Sequence, residues 1–207
     1  MRSFSRRLAI AASLSVGLLG LGLSACSGGG SAVTAEDMSL GDPKAPVTVI
    51  EYASVSCTHC ARWNKDVFPA FKAKYIDTGK VNYVFREFIT PPPQLAAAGF
   101  LLARCTGKDK YFSTLDQVFH AQDEIFQTGD IRTPLVAIAA QAGMNEQQFT
   151  ACVGDEKALN ALNARVEKWA RESKITGTPA FDVNGKLLDG EQSLEALDAA
   201  IAAAAKK

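Results

Sequence analysis

The sequence predicts an α/β fold with an inserted α-helical domain. Three observations carry that prediction. Two β-branched runs, Val47–Ala53 and Val81–Phe88, flank a helical pattern, the order of a parallel strand–helix–strand unit. A long stretch of helical character then follows the break at Thr90–Pro93. Strand signals return at Thr178–Val183, where Asn184-Gly185 supplies a two-residue hairpin turn before a short return strand, Lys186–Leu188.

Each element has a local reason. Val47–Ala53, "VTVIEYA", is dense enough in β-branched and aromatic side chains to be a buried strand. The following segment places Trp63, Val67, Phe68, Phe71 and Tyr75 near one helical face, with Pro69 expected to kink it and Gly79 to stop it. In the helical block, "LAAAGFLLARC" is one helix and "KYFSTLDQVFHAQ" another. Thr133 before Pro134 reads as an N-cap with proline in the first turn. Gly143 stops that helix and Asn145 caps the next. Leu159, Leu162, Val166 and Trp169 share one face of the last helix, and Ser193 caps an alanine-rich C-terminal helix. No internal repeat is present.

The 207 residues are 47% hydrophobic and 21% charged, enough apolar material for one sizeable core. Basic and acidic residues balance at 22 each, which argues against a nucleic-acid partner. Residues 1–25 read as a signal peptide: Arg2, Arg6 and Arg7 precede an apolar run from Leu8 to Leu23. "LSAC" resembles a bacterial lipobox, which would make Cys26 a lipidated N-terminus and leave a mature net charge of −3. Two other readings are an ordinary cut after Ala35 and, from Arg6-Arg7, a twin-arginine signal. Residues 26–45 are small and polar and read as a flexible tether. An exported chain lives where disulfides persist.

The chemistry centres on "CTHC". Cys57 follows a strand and opens a helix, so free N–H groups and the helix dipole favour its thiolate. Thr58 and His59 separate it from Cys60, one turn on, which faces the same side and allows a small disulfide ring. His59 can add positive charge or a hydrogen bond. A C-x-x-C at the strand-to-helix junction of such a unit is a thioredoxin-type redox signature. Glu51 is a lone acid in an apolar strand: either an exposed strand end or a buried carboxylate that moves protons to and from Cys60. Pro179 opens a strand without a ladder donor. A cis bond there would present Thr178 beside the cysteines, its backbone free to pair with a substrate peptide. A zinc set of Cys57, His59, Cys60 and His120 fits poorly, and no metal is expected. His120 reads as a surface histidine, and Trp63 and Trp169 as core.

"GDPKAPVTVIEYAS", "CTHC", the helical insertion and "TGTPAF" together resemble the DsbA-like branch of the thioredoxin superfamily, from about Leu40 to the C-terminus. The resemblance implies a thioredoxin fold made of residues 46–90 and 174–207, with residues 91–173 as the helical insertion. It implies Cys57 as nucleophile, Cys60 as resolving cysteine, Glu51 as buried acid and Pro179 as cis-proline, with Thr178 and Pro179 meeting substrate. It implies an exported thiol–disulfide oxidoreductase, acting on cysteine-containing exported proteins and reoxidised by a membrane partner of the DsbB type. No cofactor is needed, and a monomer is expected. Thr58 stands where proline is common, and Thr178 matches isomerase relatives where oxidases often carry valine. A reductase or isomerase, or a metal-binding assembly lipoprotein, are the alternatives. Of five cysteines, Cys105 and Cys152 remain; some relatives bond such a pair, and the alternative is two buried free thiols.

Overall fold

The computed structural model describes residues 32–206. The proposed signal peptide and Cys26 lie outside the described residues. The elements run β1 (Met38–Leu40), β2 (Val47–Ala53), α1 (Thr58–Asp66) and α2 (Phe68–Phe71), which continues as a π-helical turn over Lys72–Ile76. Then come β3 (Val81–Glu87), α3 (Pro93–Cys105), α4 (Lys108–Thr128), α5 (Arg132–Gln141), α6 (Glu146–Val153) and α7 (Glu156–Ser173). β4 (Ala180–Val183), β5 (Lys186–Asp189) and α8 (Leu194–Ala204) close the chain.

The sheet order is β1-β3-β2-β4-β5. β2 and β3 are parallel, and the remaining pairings are antiparallel. Parallel strands bury both faces, and β3 is buried at every position. The larger core lies between one face and α1, α3 and α4, and includes Trp63, Phe71, Phe100 and Phe181. A smaller cluster of Ile50, Tyr52, Val84 and Trp169 lies on the other face. Thus α7 brings Trp169 against the sheet itself.

Two local expectations are corrected. Within the segment read as a tether, residues 38–40 form edge strand β1, with Met38 opposite Phe85. Three residues are too few to show a period. Met38 is buried, and Asp37 pairs with Arg86 at 3.1 Å where both side chains are almost fully enclosed. Arg86 also stacks on Trp169, 3.7 Å from its ring centroid, and donates to the Ala32 carbonyl, so the N-terminal segment is pinned to the sheet. The second correction is the cap of α5. The helix starts at Arg132 with Ile131 at the N-cap and no side-chain bond from that residue, so Thr133 lies inside the first turn, where its N–H donates to the Asp130 carboxylate at 3.0 Å. Asn145 caps α6 in a reciprocal box with Gln148, and Ser193 caps α8. Pro69 sits in the first turn of α2, where the α1 register breaks. Asn184 and Gly185 both take positive φ, as a type I′ turn requires.

Cys105 at the end of α3 is bonded to Cys152 on α6, with Cα atoms 6.3 Å apart and 47 residues of separation. Closing that loop in the unfolded chain corresponds to about 4 kcal/mol in the chain-entropy description. The Cys105→Ala/Cys152→Ala variant should therefore unfold at lower denaturant, by roughly 2–4 kcal/mol, in equilibrium urea melts.

Candidate active site

β2 delivers the chain to the C-terminal edge of the sheet, and the loop 54–56 turns it into α1. The loop is tightly held. The Cys57 N–H donates to the Ser54 carbonyl at 3.0 Å. The Ser56 hydroxyl lies 2.8 Å from both the carbonyl and the hydroxyl of Thr90. From α4, the Gln122 side-chain amide donates to the carbonyls of Val55 and Cys57, at 2.7 and 3.2 Å. The helical block thereby fixes the cysteine loop directly.

Cys57 is the N-cap of α1: its sulfur accepts the Cys60 N–H at 3.3 Å. Its Sγ also lies 3.3 Å from the Thr178 carbonyl, which it reaches as a donor when protonated. Thr178 precedes Pro179 through a cis peptide bond. A loop 121 residues away in sequence is thus placed against the first cysteine. Cys57 is partly exposed and Cys60 is buried; both are free thiols. The hydrogen bond from the Cys60 thiol, opposed by burial, brings the Cys57 thiol down to about 6, helped by the Thr178 side chain and the backbone N–H groups of Cys60 and His59. The Cys60 thiol moves far upward, first because it is buried and then because it donates to Cys57. One sulfur is therefore a ready thiolate at neutral pH, and the other holds its proton.

Glu51 is 2% exposed, beneath this pair. Burial raises its carboxyl from 4.5 to about 8; a hydrogen bond from the Tyr83 hydroxyl opposes that rise, and negative charge on Cys57 adds to it. A carboxyl raised in the folded state favours folding below its unfolded value, and that contribution is lost as pH rises through the folded value. In the reduced protein, Glu51→Gln should gain on the order of 4 kcal/mol of stability at pH 9. It should gain nothing at pH 4, as urea melts at both values will read.

The side chains between the cysteines point elsewhere. Thr58 is exposed and lines a groove of about 380 Å³ with Arg62, Phe119, His120 and Gln122, among others. The His59 ring is 63% exposed, and its Nδ1 meets Arg62 at 2.6 Å and Glu191 at 3.3 Å. Arg62 and Glu191 form a bidentate pair. His59 therefore serves Cys57 through its backbone N–H, while its ring joins a surface ion pair. His120 is an exposed histidine on α4. Among the described residues, no group of three or more His, Cys, Asp or Glu side chains is arranged to hold a metal ion.

Sequence reasoning missed Tyr83, Gln122, Arg62 and Glu191. Gln122 carried a signal: it is a polar residue on the α4 face that also buries Leu115, Phe119 and Ile125. Tyr83 carried none, because an aromatic in an apolar strand reads as core.

A family model described as Thioredoxin matches residues 33–203. The crystal structure of Wolbachia pipientis alpha-DsbA1 matches with a TM-score of 0.76 and 30% identity, over 84% of this chain and 93% of that one. The chain belongs to the DsbA-like branch of the thioredoxin superfamily. Its fold is accordingly a thioredoxin fold carrying an inserted helical domain, and its family is one of thiol–disulfide oxidoreductases. A Rickettsia typhi protein provisionally named a protein-disulfide oxidoreductase is 39% identical over 150 residues, 72% of this chain and 55% of that protein. The chain thus spans little more than half the length of that curated relative. BdbD from Bacillus subtilis, at 21% identity and a TM-score of 0.69 over 83% of this chain and 94% of that one, shares the fold.

Proposed function

We propose that this protein is an exported disulfide-forming oxidoreductase whose redox couple is Cys57–Cys60. The observation that carries the reading is the pairing of a thiol brought down to about 6 at a helix N-terminus with a buried thiol that keeps its proton. Stabilising one thiolate stabilises the dithiol form, which makes the disulfide form an oxidant. In the forward reaction a substrate thiolate attacks Cys57. The Cys57–Cys60 bond breaks, and Cys60 leaves and takes a proton, which Glu51 can supply. A second substrate thiolate then attacks the substrate sulfur of the mixed disulfide, Cys57 departs as thiolate, and the substrate leaves with a new disulfide. Both electrons end on the enzyme's cysteines, so the chemistry requires no organic cofactor. Thr178 and Pro179 are the proposed substrate-facing backbone.

The signal-like residues 1–25 favour action in the periplasm, on cysteine-containing exported proteins, with Cys26 as a lipid anchor and a membrane partner of the DsbB type as reoxidant. The second reading is a reductase or isomerase, favoured by one observation, Thr178 before the cis-proline. One experiment separates the two: incubation of the oxidised protein with reduced, unfolded ribonuclease A, and of the reduced protein with scrambled ribonuclease A. The proposed function requires disulfides to enter the reduced substrate in amounts matching the enzyme. Recovery of active ribonuclease from the scrambled form alone would favour the isomerase.

A further inference from the structure

Glu51 is an acid buried inside a sheet, and among the described residues it makes no ion pair; its hydrogen-bond donor is a phenol. Tyr83 on β3 donates its hydroxyl to Glu51 Oε2. The two residues are on adjacent parallel strands, with Val49 opposite Tyr83 and Phe85 opposite Glu51. The phenol ring is gripped by Phe68, Phe71 and Phe112, with centroids 5.2, 6.0 and 5.9 Å away, and the residue is 2% exposed. So rigid a ring aims one donor at one carboxylate. An alternative role in packing alone would not need the hydroxyl.

We propose that Tyr83 is a positioning residue of the exchange reaction, whose hydroxyl keeps the Glu51 carboxylate available to take the proton of Cys60. The inference rests on the thiol-exchange reading above and extends it to the step in which Cys60 acts. When Cys57 is bonded to another sulfur, as during reoxidation by any disulfide, the Cys60 S–H proton passes to Glu51. The Cys60 thiolate attacks Cys57 Sγ and the Cys57–Cys60 bond forms. The outer sulfur departs as a thiolate and is protonated by solvent.

The groups around the acid are few. Cys57 and Cys60 face it from the α1 side: charge on Cys57 raises the proton affinity of both Glu51 and Cys60, and charge on Glu51 raises that of Cys60. From β4 its ladder partner is Phe181, which does not titrate. From α4, Tyr111 acts on Tyr83 and is itself hydrogen-bonded to Glu87, which Arg104 and Arg165 neutralise. Burial and the Glu51 charge keep the Tyr83 hydroxyl protonated well above its ordinary range, so it remains a donor throughout the working pH. A hydrogen bond to a charged group lost from a buried site moves its titration by about one pH unit or more.

The test is the resolution rate of the Cys57–glutathione mixed disulfide, followed by rapid mixing of the reduced protein with oxidised glutathione from pH 5 to 10. Wild type, Tyr83→Phe and Glu51→Gln are compared. Tyr83→Phe keeps the ring and its three aromatic neighbours, and a ¹³C titration of the Glu51 carboxyl reads the acid directly. The expected result is an alkaline shift of about one pH unit in both readouts, hence roughly tenfold slower resolution at pH 7. Glu51→Gln should lose that inflection. A Tyr83→Phe profile that overlays the wild type, while Glu51→Gln changes, overturns the role of Tyr83 and leaves the exchange reaction standing. Wild-type profiles in both variants overturn the route through Glu51, and absence of any glutathione adduct on Cys57 overturns the exchange reading and this proposal with it.

Discussion

Cys60→Ser converts the protein into a trap. In the wild type, Cys60 can expel whatever is bonded to Cys57, because its sulfur lies in the first turn of α1, buried and within hydrogen-bonding reach of the Cys57 sulfur, to which its thiol donates. Serine occupies the same buried space but cannot form a sulfur–sulfur bond. Cys57 retains the Cys60-position N–H, the helix N-terminus and Thr178, so it stays nucleophilic. When Cys57 attacks a disulfide-bearing substrate, one substrate sulfur leaves as a thiolate, and the mixed disulfide should then accumulate to about one per chain. It should be visible on non-reducing gels and collapse on adding dithiothreitol. A metal-binding role would instead give a variant that traps nothing.

Cys57→Ser should remove exchange altogether. The thiolate is the nucleophile in this chemistry, and among the described residues no other free thiol reaches the surface: Cys60 is buried, and Cys105 and Cys152 are bonded to each other. Turnover should fall by more than about 10³-fold, the scale on which nucleophile removal acts, measured as oxidation of a dithiol peptide. The fold should persist, because Cys57 lies at a helix cap and serine is itself a good N-cap residue. A Cys57→Ser protein that still oxidises the peptide at a tenth of the wild-type rate would place the reaction elsewhere.

The legible parts of this protein were those written in local patterns. The β-branched run at Val47–Ala53, the C-x-x-C that follows it and Asn184-Gly185 each have one short-range physical meaning, and the strand, helix start and turn appear there. The parts that escaped depend on distant partners. β1 is three residues long, and only its pairing with Tyr83–Phe85 of β3, backed by the Asp37–Arg86 ion pair, makes it a strand. Thr133 looked like a cap because threonine before proline often is one, yet the helix starts before it, and Asp130, three residues back, accepts its N–H. At the site, Cys57, Cys60 and Glu51 were visible as exceptions to their surroundings: thiols at a junction, a charge in an apolar strand. Thr178 stands 3.3 Å from Cys57 only because β4 lies beside β2. His59 looked like a charge for the thiolate, but Arg62 one turn on in α1 and Glu191, from a loop that no short-range pattern links to it, claim its ring.

The most direct measurement is the ultraviolet titration of the Cys57 thiolate in the reduced protein, read as absorbance near the thiolate band against the Cys57→Ser variant as blank. Hydrogen bonds from Cys60, Thr178 and the first turn of α1 predict a midpoint at about 6. A midpoint at the ordinary cysteine value of about 8.5 would mean that the helix terminus does not stabilise the thiolate, and would contradict the assignment of Cys57–Cys60 as an oxidising couple.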